Sequence, residues 1–129
     1  MIVADTDVLI DFLRDRAPVA DRVALELEQG QLATTVINRF ELLAGARGER
    51  QRERVLALLE GLVTLPLDAD AADQAAEVRR RLEANGEPIG MADSLVAGIV
   101  IQRRGILLTR NRRHFDRVAG LTLSPLAAS

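Results

Sequence analysis

The chain has 129 residues, 48% of them hydrophobic and 28% charged, with a net charge of -2. It is long enough to bury a core as one domain over residues 1–129 and too apolar for a disordered chain. It has no cysteine, which excludes disulfides and thiolate metal sites and suits a reducing cytoplasm.

The first apolar run, Ile2-Val3-Ala4, reads as a strand and stops abruptly at Asp5. Thr6 and Asp7 then lead into a helical pattern over residues 8–13, and Asp5 or Asp7 is positioned to cap that helix. A second helix is expected from Pro18 to Glu28, a strand at 32–34, and helices over 36–46 and 50–59. Val63-Thr64-Leu65 reads as a third strand. Asp68 is the expected N-cap of a long helix stopped by Asn85-Gly86. Residues 87–90 form a loop, residues 91–104 a further helix closed by Gly105, and residues 106–109 a fourth strand. This alternation predicts a three-layer α/β domain around a mainly parallel sheet. No apolar run approaches the roughly 18 residues of a membrane span, and the N-terminus has no basic signal-like region, so neither export nor insertion is expected.

Ligands of such sheets gather beyond the carboxyl ends of the strands, which directs attention to Asp5. Asp93 stands in the first turn of a helix that is apolar on nearly every side. It either serves the helix dipole alone or needs a cation or hydrogen-bond partner. Glu41 shares its helix face with Asn38 and Gly45, at i-3 and i+4. It is either a ligand on a small polar face or a solvent-exposed acid. Three converging carboxylates would repel by about 4 kcal/mol per pair at about 4 Å. A hard divalent cation, magnesium or manganese, is the natural companion for such oxygen donors. All 17 basic residues are arginine, clustered at 79–81, at 103–104 and at Arg110, Arg112 and Arg113. They form either a nucleic-acid surface or solvated faces paired with neighbouring glutamates.

Four segments in order resemble the PIN-domain family, and especially the VapC-type toxins of bacterial toxin–antitoxin pairs. They are residues 3–10 around Asp5, 40–45 around Glu41, 90–98 around Asp93, and 108–118, which resemble the family's final strand and the turn beyond it. The resemblance implies that Asp5, Glu41 and Asp93 are the metal-binding acids and that Thr6 and Thr109 help shape the site. Asp7 departs from the asparagine or serine common at its position. A fourth acid is common in the family after the last strand, where this chain offers Asn111 and His114, with Asp116 nearby. His114 reads either as a general base or as a hydrogen-bonded structural residue. The implied activity is metal-dependent hydrolysis of structured RNA, tRNA or rRNA, by activated water, with Asp5, Glu41, Asp93 and Asn111 as the catalytic set. A VapB-type antitoxin docking a helix into an apolar groove and a homodimer are implied as partners.

Arg110, Arg112 and Arg113 are candidates for gripping the substrate backbone, whereas base stacking is not expected of a chain whose only aromatics are three phenylalanines. A magnesium-dependent phosphatase is disfavoured because the chain has no lysine. A catalytically silent binding module remains the rival from a different class.

Overall fold

The computed structural model describes residues 1–127. Its five strands, β1 (Ile2–Ala4), β2 (Leu32–Thr35), β3 (Val63–Leu65), β4 (Ile106–Leu108) and β5 (Thr122–Leu123), lie in the order β3-β2-β1-β4-β5. Every neighbouring pair is parallel, so the sheet expected to be mainly parallel is wholly so. The helices are α1 (Thr6–Leu13), α2 (Val19–Glu28), α3 (Val36–Gly45), α4 (Gly48–Glu60), α5 (Ala69–Ala84), α6 (Met91–Gln102) and α7 (Arg112–Phe115).

Successive side chains of a strand point to opposite faces, and here they feed two separate cores. Val3, Ala33 and Leu107 pack with Ala71, Val78, Val96 and Phe115 on the face covered by α5, α6 and α7. Ala4, Leu32 and Leu108 pack with Val8, Val23, Leu42 and Val55 on the face covered by α1, α2, α3 and α4. The three layers follow from strands short and apolar enough to be buried on both sides.

Parallel strands must be joined by crossovers. β1 leads to β2 and then β3 in one direction, and the chain returns to place β4 on the other flank of β1. The connections leaving β1 and β4 therefore diverge, opening a crevice at their carboxyl ends. Asp5 and Thr109 are the first residues beyond those ends.

Helix α1 starts at Thr6, two residues earlier than expected, because the Asp5 carboxylate accepts from the Thr6 N–H and caps it. Thr35 caps α3 in the same way through Asn38 N–H, and Asp68 caps α5 through Ala71 N–H. Helix α6 ends two residues before the expected Arg104, and the expected fourth strand stops at Leu108. Two elements were absent from the sequence reading: the single turn α7 and the two-residue β5. The segment at 106–108 is therefore not the last strand. Neither element is long enough to show a hydrophobic period.

The α5–α6 contact depends on small side chains. A Cβ added at Gly98 would lie 2.6 Å from the Ala71 carbonyl oxygen and 2.6 Å from both the Ala75 nitrogen and Cβ. Backbone atoms cannot yield as a flexible side chain does, so Gly98→Ala should destabilise the protein by about 1–3 kcal/mol through overpacking. Urea unfolding checks this, with a lowered midpoint at unchanged slope as the expected result.

Candidate active site

Asp5 leaves the end of β1 with its side chain 7% exposed and three hydrogen bonds to its carboxylate. Oδ1 accepts from the Thr6 N–H at 2.9 Å and from Asn38 Nδ2 at 2.8 Å. Oδ2 accepts from the Thr109 hydroxyl at 2.7 Å. Asn38 is fully buried, and its Oδ1 accepts from the Thr35 hydroxyl at 2.6 Å. The ends of β1, β2 and β4 are thus joined through one carboxylate.

From this hub the network runs in two directions. Asn38 Nδ2 also donates to Thr6 Oγ1 at 2.9 Å, and that hydroxyl donates to Glu41 Oε1 at 2.6 Å. Glu41 therefore has a partner inside the cluster and is not a solitary surface acid. On the other side, Thr109 Oγ1 accepts from the Asn111 N–H at 3.0 Å, and Asn111 Nδ2 approaches Asp93 Oδ2 at 3.4 Å. His114 Nδ1 lies 2.9 Å from the same Asp93 oxygen. The structure thus brings Asp5, Glu41, Asp93, Asn111, Thr6 and Thr109 into one chain of contacts. His114 joins it through Asp93, while Asp116 sits exposed at the C-cap of α7. The same Nδ1 lies 2.9 Å from Asn111 Nδ2, so this ring nitrogen sits between an amide donor and a carboxylate acceptor.

Asp7 completes the acidic cluster. Its Oδ2 accepts from the Arg110 N–H at 3.0 Å, while Oδ1 is buried without a hydrogen-bond partner among the described residues. Burial raises the pKa of Asp7. Burial likewise pushes Asp5 up to about 6, with the charges of Asp7 and Asp93 adding to the rise and the hydrogen bond from Thr109 opposing it.

Among the described residues no three Asp, Glu or His side chains already close around one point that a metal ion could occupy. The donor set nonetheless fits a hard cation. It is all carboxylate oxygen, its central member is desolvated, and Asp7 Oδ1 is an orphaned buried acceptor. Asp5, Glu41 and Asp93 are the residues that would hold the ion, with Asp7 beside them.

The arginines divide differently from the substrate-gripping expectation. Arg110 Nε pairs with the buried Asp11 at 2.8 Å, and Arg112 Nη1 donates to the Ser124 carbonyl at 2.8 Å. Among the described residues, only Arg113 of the three is left as an exposed cation without such a tie. Arg79, Arg80 and Arg81 pair with Glu83 and Glu77, as the solvated-face alternative had it. Sequence reasoning placed Asn38 only as a neighbour of Glu41 and did not find Asp11. The signal for Asn38 was its spacing, three residues after Thr35 and three before Glu41.

An acid whose pKa is raised by folding binds its proton more tightly in the native state. Stability is then fully present below the unfolded value of 3.8 and falls as pH rises through about 6. In EDTA, Asp5→Asn should be more stable than the parent at pH 7 by an amount on the order of 3 kcal/mol, following from the size of the shift. The gap should close near pH 4, and urea unfolding of both proteins at the two pH values measures it.

The family model described as "PIN domain" matches residues 2–121. A tRNA(fMet)-specific endonuclease VapC of Shigella flexneri is 35% identical over 121 residues, 91% of this chain and 91% of that protein. Ribonuclease VapC10 of Mycobacterium tuberculosis is 33% identical over 115 residues, 89% of this chain and 86% of its own. Among solved structures, the DNA-bound VapBC of Salmonella typhimurium superimposes with a TM-score of 0.80 at 26% identity, covering 98% of each chain. The buried acid beyond β1, its all-parallel sheet and these relatives lead to one assignment: the chain belongs to the PIN-domain family, among the VapC-type ribonuclease toxins.

Proposed function

We propose that the protein is a divalent-cation-dependent endoribonuclease, acting as the toxin of a toxin–antitoxin pair and cutting structured RNA, with tRNA as the first substrate to test. The observation that carries this reading is the continuous hydrogen-bonded path from Glu41 through Thr6, Asn38 and Asp5 to Thr109, Asn111 and Asp93. Such a path holds mutually repelling acids in one crevice, an arrangement that makes sense around a cation and a phosphodiester.

Asp5, Glu41 and Asp93 bind magnesium or manganese in this reading, and Asp7 lends a further negative charge. A bound cation supplies Lewis acidity toward the phosphate and lowers the pKa of coordinated water. The protein's own groups do the rest. Thr6 engages Glu41 Oε1 and so orients the carboxylate, leaving Oε2 to take a proton from the attacking water. Asn111 adds an amide donor beside Asp93 without adding charge, and orients the phosphate or the water. Arg113, exposed just beyond β4, contacts the substrate backbone.

The proposed partner is a VapB-type antitoxin. The relatives' structure of DNA-bound VapBC supports it, as does the groove of Ile10, Leu13, Leu42, Ala46 and Val55, which runs up to Glu41. A homodimer belongs to the same reading, with Phe40 and Met91, 69% and 67% exposed, supplying apolar surface beside the acids. No helix among the described residues is long and apolar enough to cross a membrane. The work is assigned to the cytoplasm, where tRNA resides.

The test is cleavage of tRNA by the purified protein in magnesium, manganese or EDTA, alongside folded Asp93→Asn. Cutting should require the cation. Loss of a group that merely supports a ligand costs about 10–100-fold, so loss of Asp93 itself should cost roughly 100-fold or more. Equal activity in the variant, or full activity in EDTA, would remove the proposal; inactivity on RNA with retained antitoxin binding would leave the silent module.

A further inference from the structure

We infer that Arg112 is a positioning residue: its hydrogen bond to the main chain of Ser124 sets the Asn111–His114 turn against Asp93. The residue that follows β5 thereby governs the geometry of the acidic centre. For its activity arm alone, this rests on the nuclease reading above.

A helix of four residues such as α7 cannot hold itself in place, because helix nucleation is unfavourable and only one turn is formed. Its position must come from what its two sides touch. Residues three apart share a side of a helix. Asn111 and His114 share one, and both reach Asp93 Oδ2, at 3.4 Å and 2.9 Å. Arg112 and Phe115 share the other. Phe115 is wholly buried in the core beneath α6, and Arg112 Nη1 donates to the Ser124 carbonyl at 2.8 Å.

The acceptor is itself buried and fixed by two hydrogen bonds. Ser124 is 2% exposed, and its N–H donates to the Leu107 carbonyl of β4 at 2.8 Å. Its hydroxyl accepts from Arg22 Nη2 at 3.1 Å, and Arg22 pairs with the buried Glu26 at 3.1 Å. A path of direct contacts therefore runs from Glu26 and Arg22 on α2, through Ser124, to Arg112 and across one helical turn to Asp93. Without Arg112 the turn keeps only Phe115 as an anchor on that side and can pivot about it, carrying Asn111 and His114 away from the carboxylate. An arginine that served only to grip RNA would need no rigid acceptor behind it.

His114 is the only histidine in the chain, so its imidazole signals in a ¹⁵N spectrum are assigned without ambiguity. At one fixed pH and without metal, the Nδ1 resonance reports the contacts with Asp93 and Asn111 that the seated turn makes. In Arg112→Ala the expected result is cooperative unfolding close to the parent, a His114 Nδ1 resonance moved toward that of a free imidazole, and kcat for RNA lowered about tenfold with KM within about twofold. Arg112→Lys, whose ammonium also reaches a carbonyl, should restore most of the His114 signal. An unmoved His114 resonance in Arg112→Ala overturns the inference, and a raised KM at unchanged kcat beside it would make Arg112 a substrate contact. Should Arg112→Ala not fold, Arg112→Gln is read by the same resonance. If the parent cuts no RNA, the nuclease reading fails on that ground, while the resonance still decides the role of Arg112.

Discussion

A carboxylate buried at the end of a central strand has to be hydrogen-bonded, and satisfying Asp5 organises everything around it. An ionised acid at this depth is costly unless several donors converge on it. The donors come from three places that the chain separates widely: the start of α1, the third residue of α3, and the residue after β4. Those three places meet only because the sheet is wound in both directions from β1. The same crossover that gives the fold its strand order creates the crevice in which the acids sit.

The donors offset only part of the cost, and Asp5 remains harder to ionise than a free aspartate. Asp7, with one buried oxygen left unpaired, adds to the imbalance. The site is therefore a place where folding has stored unfavourable charge proximity, as functional sites commonly do. In a scaffold otherwise made of apolar strands and small-residue helix contacts, this is where local consistency is given up. A cation is the simplest agent that turns such a cluster from a liability into a binding site.

Arginine, the sole basic residue type of the chain, is put to structural use more often than its clustering suggested. Arg110 neutralises buried Asp11, Arg112 and Arg22 hold the C-terminal segment through Ser124, and Arg79 to Arg81 pair along α5. The planar guanidinium suits these tasks, since it meets carbonyls and carboxylates with directed donors. A basic run near an active site is thus weak evidence for substrate contact until the acceptors around it are known.

Much of the fold was legible in the sequence because it rests on local signals. Short apolar runs that end abruptly, caps at Asp5 and Asp68, and the stop at Asn85-Gly86 are properties of neighbouring residues. The acids Asp5, Glu41 and Asp93 were legible because each stands where a strand ends or a helix face turns polar, and because the segments around them resemble a family. The tertiary structure alone decided what depends on residues far apart in the chain. Asn38 bridges Asp5 and Thr6, Arg110 is committed to Asp11, and Asn111 and His114 rather than Asp116 reach Asp93. It also decided β5 and α7, which are too short to carry a period of their own and exist only because the sheet edge and the core receive them. Periodicity and capping act over a few residues, whereas a hydrogen bond between positions 5 and 109 exists only once the sheet has brought the two strand ends side by side.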